Sequence, residues 1–380
     1  MEYWRTLRTN MKNGLFIMLY KQDDLTLYLK NEIYGFLIKP LKKDRPTAQS
    51  SYFKVLADYA CSRQGTEIFF FLDRKIVYGG EIIGSEDEAS FYLNGDTSPL
   101  GRNCNAKLFW DESSRYTATN EPGVFIVNGS EKSQPFILKF KTNEHTGKYI
   151  VSDELYFELG NYSYPLPSNT VQGMGFCTLT PGETSVCYKL LKQSNKVIDF
   201  SDAKNLTTQE VATLFRGNMI NAKDFVSESE LEFNIVANLQ SISKCVDLEN
   251  NDYVICRQVP ISPFKPMNID RADICLYDTN NLILNGTIPN VVIELKKDIA
   301  NYHAYEQVTR YLKWLEKVIN DEETFAKINA FIIARGFNIK KNKVDLTYEN
   351  KIKMYSIESE SFYDLKWWQG ILTLPYFIWL

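Results

Sequence analysis

The stretch Val291-Val292-Ile293-Glu294-Leu295-Lys296-Lys297 places an acid and two lysines at the end of an apolar, β-branched run. Consecutive Val and Ile favour a strand, and an unbroken apolar run marks one covered on both faces. A carboxylate there is costly unless it is paired or holds a metal ion. The fold must therefore bring a positive charge to the end of this strand. Alternation sets Glu294 and Lys296 on one face and Lys297 on the other, a solvent-facing or phosphate-facing position. A second acid, Asp273, lies in RADICLYD, also a strand by composition. If the two strands are neighbours, Asp273, Glu294 and Lys296 converge. Two ionised carboxylates that close repel, and a divalent cation removes the conflict. An oxygen donor set without His or Cys suits magnesium, with manganese as a substitute. The plain alternative is a salt bridge between Glu294 and Lys296 at a strand end.

The flanking segments set these strands in an α/β unit. SESELEFNIVANLQSI repeats apolar residues at helical spacing through Leu231, Ile235, Val236, Leu239 and Ile242. DYVICRQVP precedes RADICLYD as a further strand. HAYEQVTRYLKWLEKVI is a long helix whose apolar face carries Tyr305, Val308, Leu312, Leu315 and Ile319, and INAFIIARGF and KIKMYSIES follow as strands. The order helix, three strands, helix, strand describes a mixed central sheet flanked by helices.

Upstream the pattern is mainly β. TEIFFFLDRKIVYGG reads as a hairpin around LDRK, and GVFIVNG, PFILKFK and GKYIVSDELYFEL as strand, turn, strand. SSYFKVLADYACSR is a helix beside them, and LTTQEVATLF a short helix near the boundary. A chain of 380 residues exceeds one ordinary core. The division expected is a β-rich, barrel-like substrate-recognition domain over 1–190, a linker with a short helical segment over 191–226, and the α/β domain over 227–380.

The formal charge of -4 gives no global attraction to nucleic acid, so any such partner needs a local patch or a metal. The seven cysteines form no CxxC pair, and with two histidines the set is a poor match to a zinc centre; they read as buried thiols in a reducing, cytoplasmic setting. The N-terminal segment has no signal-peptide core, and no apolar run reaches membrane-spanning length. The segment ILTLPYFIWL reads as a terminal strand or docking tail.

With Asp273, the Glu294-Leu295-Lys296 element and Gln307, Arg310 and Tyr311 of EQVTRY in order, residues 227–336 resemble the PD-(D/E)XK, restriction-endonuclease-like nuclease superfamily. Within it they are most similar to the NucS branch of mismatch and branched-DNA endonucleases. The resemblance implies a metal-dependent endodeoxyribonuclease. Asp273 and Glu294 would hold Mg2+, the Leu295 carbonyl would add a ligand, and Lys296 would hold or help deprotonate water. Glu228 of SESEL matches the acid of the opening helix, with Glu230 and Glu232 as competitors. Gln307 would hydrogen-bond at the centre, and Arg310 would neutralise a phosphate or pair with an acid. Tyr311 would either act there or pack the helix. The insertion Asn281–Asn290 departs from that branch.

The first domain is weakly similar to PUA-like or EVE-like barrels, whose implied role is reading modified bases. Tyr78, Phe91, Tyr92 and Trp110 would form a stacking cage, or fill a barrel core. Lys39, Lys42 and Lys43 make a small basic patch. The expected function is a restriction or defence enzyme that recognises modified DNA, working as a homodimer because a double-strand break needs two sites. Mismatch or branched-DNA repair, a non-catalytic DNA-binding module and a structural role are the alternatives.

Overall fold

Glycine, bulges and a tight turn bend the first half of the chain into a half-barrel. The computed structural model describes residues 12–39, 46–84, 90–93, 117–118, 124–127, 129–133, 136–162, 176–205, 212–213, 225–237, 253–263 and 269–363. Here β1 is Gly14–Met18, α1 Gln22–Asn31, β2 Ile33–Gly35, α2 Pro46–Cys61, β3 Glu67–Leu72, β4 Lys75–Ile82 and β5 Ser90–Leu93. Three short strands, β6 (Thr117–Ala118), β7 (Val124–Val127) and β8 (Ser130–Ser133), form their own sheet. Next come β9 (Phe136–Lys141), β10 (Tyr149–Val151), α3 (Ser152–Tyr162), β11 (Phe176–Leu179), α4 (Pro181–Gln193) and β12 (Ala212–Thr213).

The main sheet of this half runs β11-β1-β3-β4-β9-β5-β12, with β10 added to β4 and β2 to β9. The β3–β4 turn uses Asp73 and Arg74 at positive φ (48° and 62°), the twist that closes a two-residue hairpin. A register shift between Ile68 and Phe69 and the glycine Gly80 at φ +151° bend β4 from β10 toward β9.

Several segments differ from the sequence expectation, among them the helix α1, absent from the mainly β reading. SDELYFELGNY is the helix α3, not a strand: Asp153 and Glu154 stand in its first turn, where the helix dipole favours acids. The helix α4 has a capping box, with the Thr180 side chain accepting from Glu183 N and the Glu183 carboxylate from Thr180 N. Ala212 and Thr213 pair with β5 as a strand, although the surrounding pattern reads as a helix.

The second half comprises α5 (Glu228–Ala237), β13 (Tyr253–Pro260), β14 (Arg271–Asp278), β15 (Val291–Asn301), α6 (Tyr302–Ile319), α7 (Glu322–Ala326), β16 (Asn329–Asn338), β17 (Ile352–Ser356) and β18 (Ser361–Tyr363). Its sheet order is β13-β14-β15-β16-β17-β18, with β15, β16 and β17 parallel and the other pairs antiparallel. α6 covers one face through Tyr305, Val308, Tyr311 and Leu312, and α5 covers the other through Leu231, Ile235 and Val236. The α/β architecture with a mixed sheet flanked by helices is thus the one expected.

The halves are joined through buried polar contacts. Asn13 Nδ2 donates to the carbonyl of Ile255 at 3.0 Å, Arg257 N donates to Thr178 Oγ1 at 3.0 Å, and Cys256 Sγ donates to the Leu179 carbonyl at 3.4 Å. These satisfy the outer edge of β13, which would otherwise be an open strand edge. The rings of Phe53 in α2 and Phe233 in α5 lie 5.9 Å apart. The insertion after β14 docks on the first turn of α4, where Gly286 approaches Pro181 and Gly182.

Candidate active site

The antiparallel ladder between β14 and β15 ends at the pair Ile274–Ile293. One step further the strands part, and the next residues on each are Asp273 and Glu294. The Asp273 carboxylate takes over the role of the missing ladder partner, its Oδ2 accepting from Leu295 N at 2.8 Å. Local sequence produces this fork: each strand carries an acid where pairing stops, and an acid replaces a backbone acceptor there without disturbing the core below.

Glu294 is 1% exposed, and both its oxygens are engaged. Lys296 Nζ donates to Oε1 at 2.7 Å, and the Tyr311 hydroxyl lies 3.1 Å from Oε2. Tyr311 has one proton to share between Glu294 and the Arg271 carbonyl, 2.5 Å away, while Gln307 Nε2 donates to its oxygen at 2.6 Å. Gln307 therefore reaches the acid through Tyr311. One helical turn separates Gln307 and Tyr311, so both face the sheet.

Electrostatics mark the fork as a strained cluster. Burial pushes the half-buried Asp273 carboxyl well above the usual range, and Glu294 and Glu232 push it further. Burial also raises Glu294, against the lowering effect of Lys296. Burial alone would lower the Lys296 ammonium, but Glu294, Asp273 and Glu228 outweigh it and hold its pKa above the ordinary lysine value.

The remaining residues singled out in the sequence occupy different places. Glu228 is exposed, its Oε1 3.9 Å from Lys296 Nζ. Glu230 accepts from Val226 N at 2.7 Å at the start of α5. Glu232 is buried beside Arg257. Arg310 pairs with Asp270 at 3.2 Å, and Lys297 lies 3.5 Å from Asp298. Leu295, the candidate carbonyl ligand, contributes its N–H to Asp273. Tyr78 is fully buried and donates to Glu67 at 2.6 Å, a core position rather than the wall of a stacking cage. Trp110, Lys42, Lys43, Cys104, Cys245 and the ILTLPYFIWL segment lie outside the described residues, as do the side chains of Phe91 and Tyr92.

Sequence reasoning missed Gln258, which stands opposite Asp273 on β13 and donates from Nε2 to Asp273 Oδ1 at 3.1 Å. It also missed Arg257, although a cation inside the apolar YVICRQVP strand is the same kind of signal as Glu294 in VVIEL.

Among the described residues no group of three or more His, Cys, Asp or Glu side chains is arranged as a metal cluster. The fit to a divalent cation rests instead on the acid pair and on charge. Four carboxyl groups, of Asp58, Glu232, Asp273 and Glu294, share two cations, Arg257 and Lys296. Carboxyl groups therefore outnumber the close cations in this network, an imbalance that a hard divalent cation with oxygen ligands would offset.

Residues 183–350 match the family described as Type I restriction enzyme R protein N terminus. That range contains Asp273, Glu294, Lys296, Gln307 and Tyr311. Among solved structures, the chain is similar to the crystal structure of a repair endonuclease from Pyrococcus abyssi. That similarity is 11% identity over 85% of this chain and 98% of that one, with a TM-score of 0.21. It is also similar to the structure of an EndoMS–dsDNA2 complex, at 12% identity over 81% and 90% of the two chains, with a TM-score of 0.18. No curated protein matches the chain. No helix among the described residues is long and apolar enough to cross a membrane.

Proposed function

We propose that the chain is a metal-dependent endodeoxyribonuclease with its reaction centre at the β14–β15 fork. The observation that carries this reading is the meeting of Asp273, Glu294 and Lys296 where the ladder opens, backed by Tyr311 and Gln307. The family match over residues 183–350, to a restriction enzyme component, supports a nuclease.

In this reading Asp273 and Glu294 would hold Mg2+ or Mn2+. Held by these two carboxylates, such an ion would supply Lewis-acid stabilisation of the charge that develops on the phosphate oxygens. Asp273 is oriented by Leu295 N and Gln258, and Glu294 by Lys296 and Tyr311, so both carboxylates are preorganised. Lys296 uses one N–H on Glu294; its other donors orient the attacking water and the phosphate. A P–O bond forms to the water oxygen as the water gives up a proton, the P–O ester bond breaks, and the departing oxygen takes up a proton, so that the water is divided between the two products.

For the substrate we favour mismatched or branched duplex DNA. The motif set resembles the NucS-type branch, and the burial of Tyr78 removes one wall of the base cage that a modified-DNA reader needs. Restriction is the second reading, favoured by the description of the matched family, with recognition of modified DNA resting on the sequence expectation alone. The test is a cleavage panel with Mg2+ on unmodified, cytosine-modified, mismatched and forked duplexes, each repeated with EDTA. Metal-dependent cutting of mismatched or forked DNA above the other forms is expected. Equal cutting of all forms removes the substrate reading, and no cutting of any form removes the nuclease.

A further inference from the structure

Arg257 and Gln258 are neighbours on β13, and each reaches a different part of one buried network. Arg257 Nε and Nη2 donate to Glu232 Oε1 and Oε2 at 3.1 and 2.6 Å. Its Nη1 lies 2.8 Å from Oδ1 of Asp58, which belongs to α2 in the first half of the chain. Asp58, Glu232 and Arg257 are all 3–4% exposed. Gln258 Nε2 donates both hydrogens, one to Glu232 Oε1 and one to Asp273 Oδ1, each at 3.1 Å. The flipped amide would set its oxygen against two carboxylates, so the network itself assigns the orientation.

The backbone at Gln258 is unusual for a strand. Its φ is +53°, in the left-handed region that L side chains rarely adopt. The ladder pairs Arg257 with Ile274 and Val259 with Ala272, skipping the Gln258–Asp273 step without a change of register. No extra residue is accommodated and no turn is made. What the conformation does is deliver the Gln258 amide between two acids, the kind of backbone strain that collects at functional sites.

We propose that Gln258 is a positioning residue for Asp273, and that the chain Asp58–Arg257–Glu232–Gln258 lets the first half of the protein set the geometry of the metal-holding carboxylate. This rests on the nuclease reading. Leu295 N fixes one Asp273 oxygen and Gln258 the other, so the plane of the carboxylate is set from both sides. Glu232 is committed to Arg257 and holds Gln258 in place; it orients a ligand without being one.

Gln258→Gly is the decisive variant, because glycine relieves the left-handed backbone while removing the amide. Its melting temperature is expected to stay near or above that of the wild type. Cleavage kcat should fall by about 10-fold to 100-fold and the Mg2+ concentration for half-maximal cleavage should rise, the usual effect of removing a group that orients a metal ligand. KM for DNA should not change. Mn2+ titration of the same protein should show weaker binding without DNA. Asp58→Asn, in the other half of the chain, should move kcat and the Mg2+ midpoint in the same direction by a smaller factor. A Gln258→Gly protein with wild-type kcat and Mg2+ midpoint, beside an active wild type, overturns the positioning role alone. A wild type that neither cuts DNA nor binds Mn2+ overturns the nuclease reading and this role with it.

Discussion

At the scale of single residues, the acid pair stores repulsion that a bound cation would release. Asp273→Asn removes one charge and keeps an acceptor for Leu295 N. Without metal this variant should melt no lower than the wild type, relief of the acid pair offsetting the contact of the new NH2 with the Gln258 NH2, since reaction sites commonly give up stability for function. Its affinity for Mn2+, read by titration, should fall at least about 10-fold. A lower melting point with unchanged Mn2+ affinity would place the cation elsewhere. Glu67, on β3 of the first half, gives a second test. Burial raises its pKa to about 7, although the hydrogen bond from Tyr78 works against this. Between the unfolded value of 4.5 and about 7, the folded chain binds the proton more tightly than the unfolded chain. Stability from this group is therefore full below pH 4.5, declines as pH rises to about 7 and is flat beyond. Thermal melts from pH 5 to 8 should show a shallower decline in Glu67→Gln than in the wild type, with the variant more stable at pH 8. Parallel curves would contradict this.

At the scale of elements, what could be read from sequence depended on periodicity. The strands β14 and β15 and the helix α6 were legible because β-branched runs and a long 3.6-residue repeat are unambiguous. Asp273, Glu294 and Lys296 were legible with them, since a charge in an apolar run stands out. The helix α3 was hidden by Tyr156 and Phe157, aromatics that favour strands, and α4 went unread despite the capping signal at Thr180 and Glu183. Gln258 was not legible. The connection between β13 and β14 is too long for turn type to fix the register, so nothing in sequence sets Gln258 opposite Asp273. Curvature was equally hidden, and it depends on Gly80, where a Cβ would stand 2.3 Å from the Lys141 carbonyl oxygen. Gly80→Ala should destabilise the chain by about 2 kcal/mol or more in urea unfolding. An unchanged midpoint would show that the β4 bend does not need glycine.

At the scale of the whole molecule, the two halves share buried polar groups rather than meeting through a thin linker. Asn13, Asp58 and Thr178 complete the edge of β13 and balance Arg257, and the insertion after β14 rests on α4. A fragment beginning at residue 225 would leave that edge open and Arg257 without Asp58. Losing one partner of a buried pair costs about 3–5 kcal/mol, a large part of the 5–15 kcal/mol that typically holds a domain together. The fragment should therefore lack a cooperative melt, followed by circular dichroism, whereas a sharp transition would show that the nuclease half folds alone. The central claim is that Lys296, beside Asp273 and Glu294, takes part in metal-dependent hydrolysis of DNA. The most direct measurement is the single-turnover cleavage rate of the wild type and Lys296→Ala, with Mg2+ and with EDTA, on the mismatched or forked duplex. The account predicts a wild-type rate that EDTA abolishes and a loss of about 100-fold to 10,000-fold in Lys296→Ala, with its melting curve retained. A folded Lys296→Ala protein that cuts at the wild-type rate would contradict it.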